Sequence, residues 1–229
     1  VFEEEAARVA KQYNIPHVYT NYRSLLERDD LVAVDVCLHN NFHAPVTIAA
    51  LQAGKHVYCE KPIAGTYFDG KQMVATAEAT GKQLHIQLGT LFTKETKAAK
   101  TLIDAGMLGK IYHARSTGFR RRNRPFVDGY GTPYFTRKET AGVGDLLDMG
   151  VYHISQLLYL LGNPNVERIS GKLYQELDML QERREQSRFD VEELASGFIR
   201  FADGLTLDII ESWAVHLGGF EGSSIAGSK

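Results

Sequence analysis

The chain has 229 residues and a formal net charge of −2, so it carries no overall electrostatic bias toward nucleic acid or a membrane surface. Hydrophobic residues make up 44% and charged residues 24%, which is enough apolar material for one large or two small packed domains. No apolar run is long enough to span a bilayer, and the acidic, amphipathic start VFEEEAARVAKQYN is unlike a signal peptide. The two cysteines, Cys37 and Cys59, lie in apolar runs and read as buried thiols in a reducing compartment, hence a cytoplasmic protein.

In chain order, residues 6–13 show helical spacing. Residues 31–38 (LVAVDVCL) form a valine-rich apolar run expected of a buried strand. Residues 43–53 read as a helix closed by Gly54, 56–59 as a short strand, 66–80 as a helix ending at Gly81, and 84–88 as a third strand. Strands separated by single helices imply a parallel sheet with crossover helices, which is the doubly wound arrangement. Beyond residue 91 the pattern changes. A helix over 94–105 and a long strand over 110–119 precede an Arg-, Gly-, Pro- and Tyr-rich stretch, 120–139, expected to be loop. A helix over 146–161 follows. Strands are expected over 166–174, 194–201 and 205–215, the last two joined by a turn at Ala202-Asp203-Gly204. The charged stretch 178–188 reads as a solvated loop or short helix. The expected fold class is therefore α/β: a partial Rossmann sheet over residues 1–91, then an α+β domain over 92–229 with a mostly antiparallel open sheet.

Three stretches carry residue types suited to chemistry. Glu60-Lys61-Pro62 closes a predicted strand, and in doubly wound sheets ligands bind beyond the carboxyl ends of strands. Pro62 pushes Lys61 out of helical geometry and permits a cis bond. Alone, the tripeptide also fits a surface lysine at a turn. In the run from Gly142 to His153, Asp148 and Tyr152 stand four apart on one helix face, where a carboxylate can orient a proton donor. An Asp148 helix cap beside ordinary half-buried aromatics fits the same letters. Leu38-His39-Asn40-Asn41-Phe42-His43 straddles a strand end and a helix start, as a phosphate-binding turn or a helix cap would.

Taken together, these stretches resemble the Gfo/Idh/MocA oxidoreductase family. Its turn of the Asn-x-x-His type is followed by a helix and then by Ala-Gly-Lys-His-Val-x-Cys-Glu-Lys-Pro, which here is Ala53 to Pro62. The family's later Gly-rich run leading to Asp-x-Gly-x-(His/Tyr) matches Gly144 to Tyr152. The resemblance implies an enzyme, an NAD- or NADP-dependent dehydrogenase or reductase acting on a sugar- or polyol-like carbonyl/hydroxyl pair. It implies that Lys61 contacts the reacting oxygen and the cofactor, that Asp148 orients substrate, and that Tyr152 is the acid/base, with His153 as second choice. Tyr152 stands where many members have histidine and the glucose–fructose oxidoreductase and dihydrodiol dehydrogenase branch has tyrosine. Leu38, His39, Asn40, His43 and Glu60, with Lys61, would line the cofactor groove. The turn departs from the family by starting at His39 in place of proline, and an arginine common near Leu91 is missing. By the same resemblance, a glycine-rich pyrophosphate turn would lie before Val1 and more of the second domain after the last residue, so the chain is expected to be truncated at both ends.

Arg120, Arg121, Arg122 and Arg124 form a basic cluster that fits either an anion grip or a solvated loop, and Trp213 is expected to pack the second sheet. No His, Cys, Asp or Glu spacing suggests a metal. The open sheet suggests a homo-oligomer, a dimer or tetramer. Two rival functions remain: a non-catalytic dinucleotide-binding regulator or scaffold, and an NAD-dependent glycoside hydrolase.

Overall fold

The computed structural model describes residues 2–216 and 219–229. The chain divides into two compact units, Val1–Leu38 with Phe42–Ile86, and His39–Asn41 with Gln87–Lys229. The division falls after Ile86, earlier than the expected boundary at residue 91.

The first unit holds helices α1 (Glu3–Tyr13) and α2 (Tyr22–Leu26), then strand β1 (Ala33–Val36), helix α3 (beginning at Asn40 and ending at Gln52), β2 (His56–Cys59), α4 (Tyr67–Thr80) and β3 (Leu84–Ile86). The strands pair in parallel in the order β1-β2-β3. Parallel strands need crossovers, and α3 and α4 supply them. The start of α4 follows from local chemistry. The Thr66 hydroxyl oxygen accepts from the Asp69 N–H at 3.2 Å, satisfying one of the helix's unpaired donors. Ala50, Leu51, Val57, Cys59 and Met73 are fully or almost fully buried, so the helices seal the sheet as its apolar strands require. Cys59 is buried as expected, whereas Cys37 is exposed; both thiols are free. Helix α2 is an element the sequence reading did not contain.

The second unit continues with α5 (Lys94–Asp104), β4 (Ile111–Arg121), the short α6 (Lys138–Ala141), a π-helical turn (Leu146–Gly150) running into α7 (Val151–Leu160), β5 (Val166–Tyr174), α8 (Gln181–Ser187), β6 (Leu194–Phe201), β7 (Thr206–Val215) and β8 (Phe220–Gly227). The strands lie in the order β5-β6-β7-β4-β8, and only the central β4–β7 pair is parallel. Strand alternation sorts the faces. Ala114, Leu207, Ile209, Ile199 and Phe201 share a core with Leu157 of α7. On the opposite face Arg115 pairs with Asp208 at 2.8 Å, and Phe198 and Phe220 are exposed.

The arginine-rich stretch departs from a solvated loop. Arg124 is completely buried, bonded to Asp128 at 2.9 Å and to Glu193 at 2.8 Å, with the carbonyls of Leu177 and Asp178 accepting its remaining donors. The other oxygen of Glu193 accepts the N–H groups of Glu176 and Leu177 at 2.8 and 2.6 Å. Every member of this network is satisfied, which is what makes a buried ion pair tolerable. Arg120 and Arg122 pair with Glu221 and Asp178, each at 2.7 Å.

A few residues away the balance is different. Asp145 is 1% exposed, and neither of its carboxyl oxygens has a hydrogen-bond partner among the described residues. Burial, reinforced by the charges of Glu211, Asp148 and Glu192 and only partly opposed by Arg120, pushes its pKa up to about 9. At neutral pH Asp145 is a neutral acid.

Two outcomes follow for stability. Arg124→Met leaves Glu193 and Asp128 as uncompensated acids and should lower the unfolding free energy by about 3–5 kcal/mol in urea melts. The second concerns pH. Because the folded state holds the Asp145 proton up to about pH 9 while the unfolded chain releases it near the ordinary value of 3.8, Asp145 erodes stability as pH rises through that window. Asp145→Asn should therefore melt like the parent near pH 4 and progressively higher than the parent toward pH 9. A melting difference that is constant with pH would show that Asp145 is ionised in the fold.

Candidate functional site

In the first unit, β1 and β2 end side by side, with Val36 opposite Cys59 and the Glu60 N–H donating to the Val36 carbonyl at 3.0 Å. Leu38 and Glu60-Lys61 therefore leave neighbouring strand ends, the place where a doubly wound sheet meets its ligand. Leu38 is exposed, and Glu60 and Lys61 are half-buried. The Lys61–Pro62 bond is cis, and the Lys61 N–H points to the Glu60 carboxylate at 3.3 Å.

His43 does something other than line a groove. Its ring is fully buried, with Nδ1 at 2.7 Å from the Pro62 carbonyl and Nε2 at 2.9 Å from the Leu38 carbonyl. Both neighbours are acceptors, so a neutral ring donates to one and an imidazolium to both. The two carbonyls belong to the chain leaving β1 and the chain leaving β2. His43 thus staples these connections together and fixes the backbone around Leu38 and Lys61, rather than offering a polar atom to a cofactor.

In the second unit, His39 stacks on Tyr134 with ring centroids 4.2 Å apart, and the Asn40 amide donates to the Ala141 carbonyl at 2.9 Å. The segment carrying Asp148, Tyr152 and His153 is fixed at several positions. The Glu192 carboxylate accepts the N–H groups of Gly144 and Leu146 at 2.8 and 3.1 Å, which holds the turn on either side of Asp145. Asp148 lies in the π-helical turn rather than at a regular α-helical start, and its Oδ2 accepts from the indole N–H of buried Trp213 at 3.0 Å. Wide helical turns of this kind are common at functional sites. The Tyr152 carbonyl accepts from the Thr90 hydroxyl at 3.3 Å. His153 points Nδ1 at both oxygens of fully buried Glu211, at 3.0 and 3.1 Å, and Ser116 donates a short hydrogen bond to the same carboxylate. The bond to Glu211 raises the His153 pKa and outweighs the opposing effect of burial. A side chain added at Gly118 would collide with Glu211, so glycine there is a matter of space.

Tyr130 belongs to the same neighbourhood. Burial, together with the Asp148 carboxylate, pushes its phenol up to about 12 against the opposing Arg120 cation. The second unit therefore brings together a carboxyl group, Asp148, two groups that keep their protons at neutral pH, Asp145 and Tyr130, and an imidazole, His153, whose proton affinity Glu211 raises. Such a set can hold hydroxyl groups and move one proton. Asp148, Tyr152 and His153 are the members expected from the sequence motif; Asp145, Tyr130, Glu192, Glu211 and the Trp213 bond to Asp148 are not foreshadowed by it. A signal for two of these exists. Leu207, Ile209, Glu211 and Trp213 alternate along one strand, so a glutamate stands at a core-facing position where an apolar residue is expected.

Lys61, Glu60, Leu38 and His43 belong to the first unit, and His39, Asn40, Asp148, Tyr152 and His153 to the second. Among the described residues no three His, Cys, Asp or Glu side chains are grouped to hold a metal ion, and no helix is long and apolar enough to cross a membrane.

Comparison with known proteins places both units. Residues 2–88 match the family model described as an oxidoreductase family with an NAD-binding Rossmann fold, and residues 96–229 match the GFO/IDH/MocA C-terminal domain. The D-glucoside 3-dehydrogenase of Escherichia coli is 31% identical over 218 residues, covering 93% of this chain and 61% of that protein. The levoglucosan dehydrogenase of Pseudarthrobacter phenanthrenivorans is 30% identical over 161 residues, covering 69% of this chain and 40% of that protein. A solved levoglucosan dehydrogenase in complex with NADH and levoglucosan superposes with a TM-score of 0.82 at 27% identity, covering 99% of this chain and 60% of that one. The chain thus spans about three fifths or less of the length of these relatives. With both of its units matched in order, the chain belongs to the Gfo/Idh/MocA oxidoreductase family.

Proposed function

We propose that this chain forms part of an NAD-dependent dehydrogenase that oxidises a secondary hydroxyl of a sugar, or reduces the corresponding ketone. The observation that carries this reading is the joint presence of a strand-end Lys61 and the Asp148-to-Tyr152 turn in a chain whose relatives are sugar dehydrogenases.

The residues present fit such a cofactor. Leu38, Glu60 and Lys61 leave two adjacent strand ends of a parallel sheet, and His43 keeps both connections in place. Leu38, His39, Asn40, Glu60 and Lys61 would hold the dinucleotide, with His43 acting through the backbone. NAD supplies the hydride acceptor of the reaction, and NADP is the alternative where the 2′-phosphate is accommodated. This chain's residues manage the proton and the alignment. Lys61 places a positive charge at the reacting oxygen. Tyr152 takes the hydroxyl proton during oxidation and returns it during reduction. Asp148 accepts a hydrogen bond that orients the substrate or the phenol. With free cysteines and no strongly charged surface bias, a reducing, cytoplasmic setting suits the chain.

The open face of the five-stranded sheet is the surface we assign to self-association. It exposes Phe198 and Phe220 beside the Arg115–Asp208 pair, and β5 is exposed along nearly its whole length.

The test is kinetic. In the full-length protein, wild type should reduce NAD at 340 nm with one or more members of a panel of glucosides, anhydrosugars and polyols. Lys61→Met and Tyr152→Phe should each lower kcat by about 10²–10⁴-fold while leaving the circular dichroism spectrum unchanged. Near-normal turnover in both variants would refute the assignment. Tight NAD binding with no turnover on any panel member would instead identify a non-catalytic regulator. Sedimentation velocity should show a dimer or tetramer, and a monomer at micromolar concentration would remove the sheet face from the argument.

A further inference from the structure

We infer that Trp213 is a positioning residue for the reaction, holding the Asp148 carboxyl group in one orientation through the indole N–H. The inference rests on the reading of Asp148 given above.

Trp213 is the only tryptophan of the chain and is 0% exposed. Packing alone would explain a buried aromatic in this sheet, but its polar atom is not idle. Nε1 lies 3.0 Å from Asp148 Oδ2. An indole N–H can only donate, so the Asp148 oxygen facing it must accept, and donation to a carboxylate favours the charged form. The ring has little freedom to leave. Its own backbone N–H donates to the Glu193 carbonyl at 3.0 Å, and its carbonyl accepts from Asn123 at 2.9 Å. Phe189 meets the ring edge-on at 6.4 Å, and Val127, Val191 and Met149 complete the cluster.

The strand itself is irregular at this point. Along β4 and β7, Phe119 pairs with Ser212 but Arg121 pairs with Val215, so Trp213 and Ala214 stand opposite the single residue Arg120. An inserted residue of this sort re-aims side chains and is common beside active sites. Asp148 sits in the complementary irregularity, the π-helical turn. Two departures from regular secondary structure therefore meet in one donor–acceptor pair. A tryptophan kept only for packing needs neither the irregular register nor a carboxylate on its nitrogen.

The test separates donor from bulk. Site-specific replacement of Trp213 by benzothienylalanine keeps the bicyclic shape and exchanges the N–H for sulfur. In the full-length protein this should lower kcat roughly tenfold or more with KM changed less than about threefold. Trp213→Phe should lower kcat further and reduce the melting temperature, since it also removes packing. Wild-type kinetics in the benzothienyl protein would overturn the inference. A readout that needs no substrate keeps it testable if no dehydrogenase activity is found. The indole ¹H–¹⁵N cross-peak, identified by its loss in Trp213→Phe, should move upfield in Asp148→Asn, where the carboxyl acceptor is replaced by an amide. A peak indifferent to Asp148→Asn would equally overturn it, whereas a peak that moves in a protein with no turnover would leave the pair standing and refute the dehydrogenase reading alone.

Discussion

The run from Gly144 to His153 carries Asp145, Asp148, Tyr152 and His153, and it has no regular helical start of its own. It is placed by side chains that reach it from the sheet. Glu192, just before β6, accepts the N–H groups of Gly144 and Leu146. Trp213 of β7 donates to Asp148, and Glu211 of β7 accepts from His153. Contacts this close need room, and the glycines supply it: a Cβ at Gly144 would run into the Glu192 backbone, and one at Gly118 into the Glu211 carboxylate. These glycines, one in the motif and one in β4, are therefore the condition under which strand residues can touch the segment, and its chemistry follows from that contact.

The same contacts set the charge state of the neighbourhood. Glu211 accepts from two donors, Ser116 and His153. Asp145 has no donor, so burial decides for it and it keeps its proton. Asp148 has the Trp213 donor and remains an acceptor, and its charge helps keep Tyr130 a phenol. Adjacent acids thus differ in how many N–H and O–H groups each can reach, and the one that reaches none is the one burial keeps protonated. Neutral donors beside one fixed carboxylate suit a ligand made of hydroxyl groups, each of which both donates and accepts.

Much of this fold could be read from the letters, for identifiable reasons. The strands 166–174, 194–201 and 56–59 are bounded by turn residues and rich in branched or aromatic side chains, and they fall where expected. Helix α4 announces itself through the Thr66 cap and Gly81. Strand β8 does not, because Phe220–Gly227 is glycine- and serine-rich and becomes a strand only by pairing with β4, more than a hundred residues away. The fate of Arg124 was equally hidden. A run of arginines reads as solvated, and only the meeting with Asp128 and Glu193 makes its burial affordable. Of the candidate site, the acidic and aromatic members of the Gly-rich run were visible as a motif. The residues that hold them come from strand β7 and from the segment just before β6, and no local pattern connects these to the Gly-rich run.

The geometry also separates the two proton carriers that stand next to each other. Tyr152 and His153 are consecutive, so on a helix their side chains leave about 100° apart. His153 faces the sheet: its Nδ1 is bonded to Glu211, and its Cε1 lies beside Gly118 of β4. A carboxylate on Nδ1 orients an imidazole and raises its proton affinity, which favours a charged, anchored ring over one that exchanges its proton readily near neutrality. Tyr152 leaves the helix in another direction, and its backbone carbonyl accepts from the Thr90 hydroxyl. His153 thus anchors the segment through Glu211, which is why the acid/base step we propose is assigned to Tyr152 in preference to its neighbour, with Asp148 four residues before it.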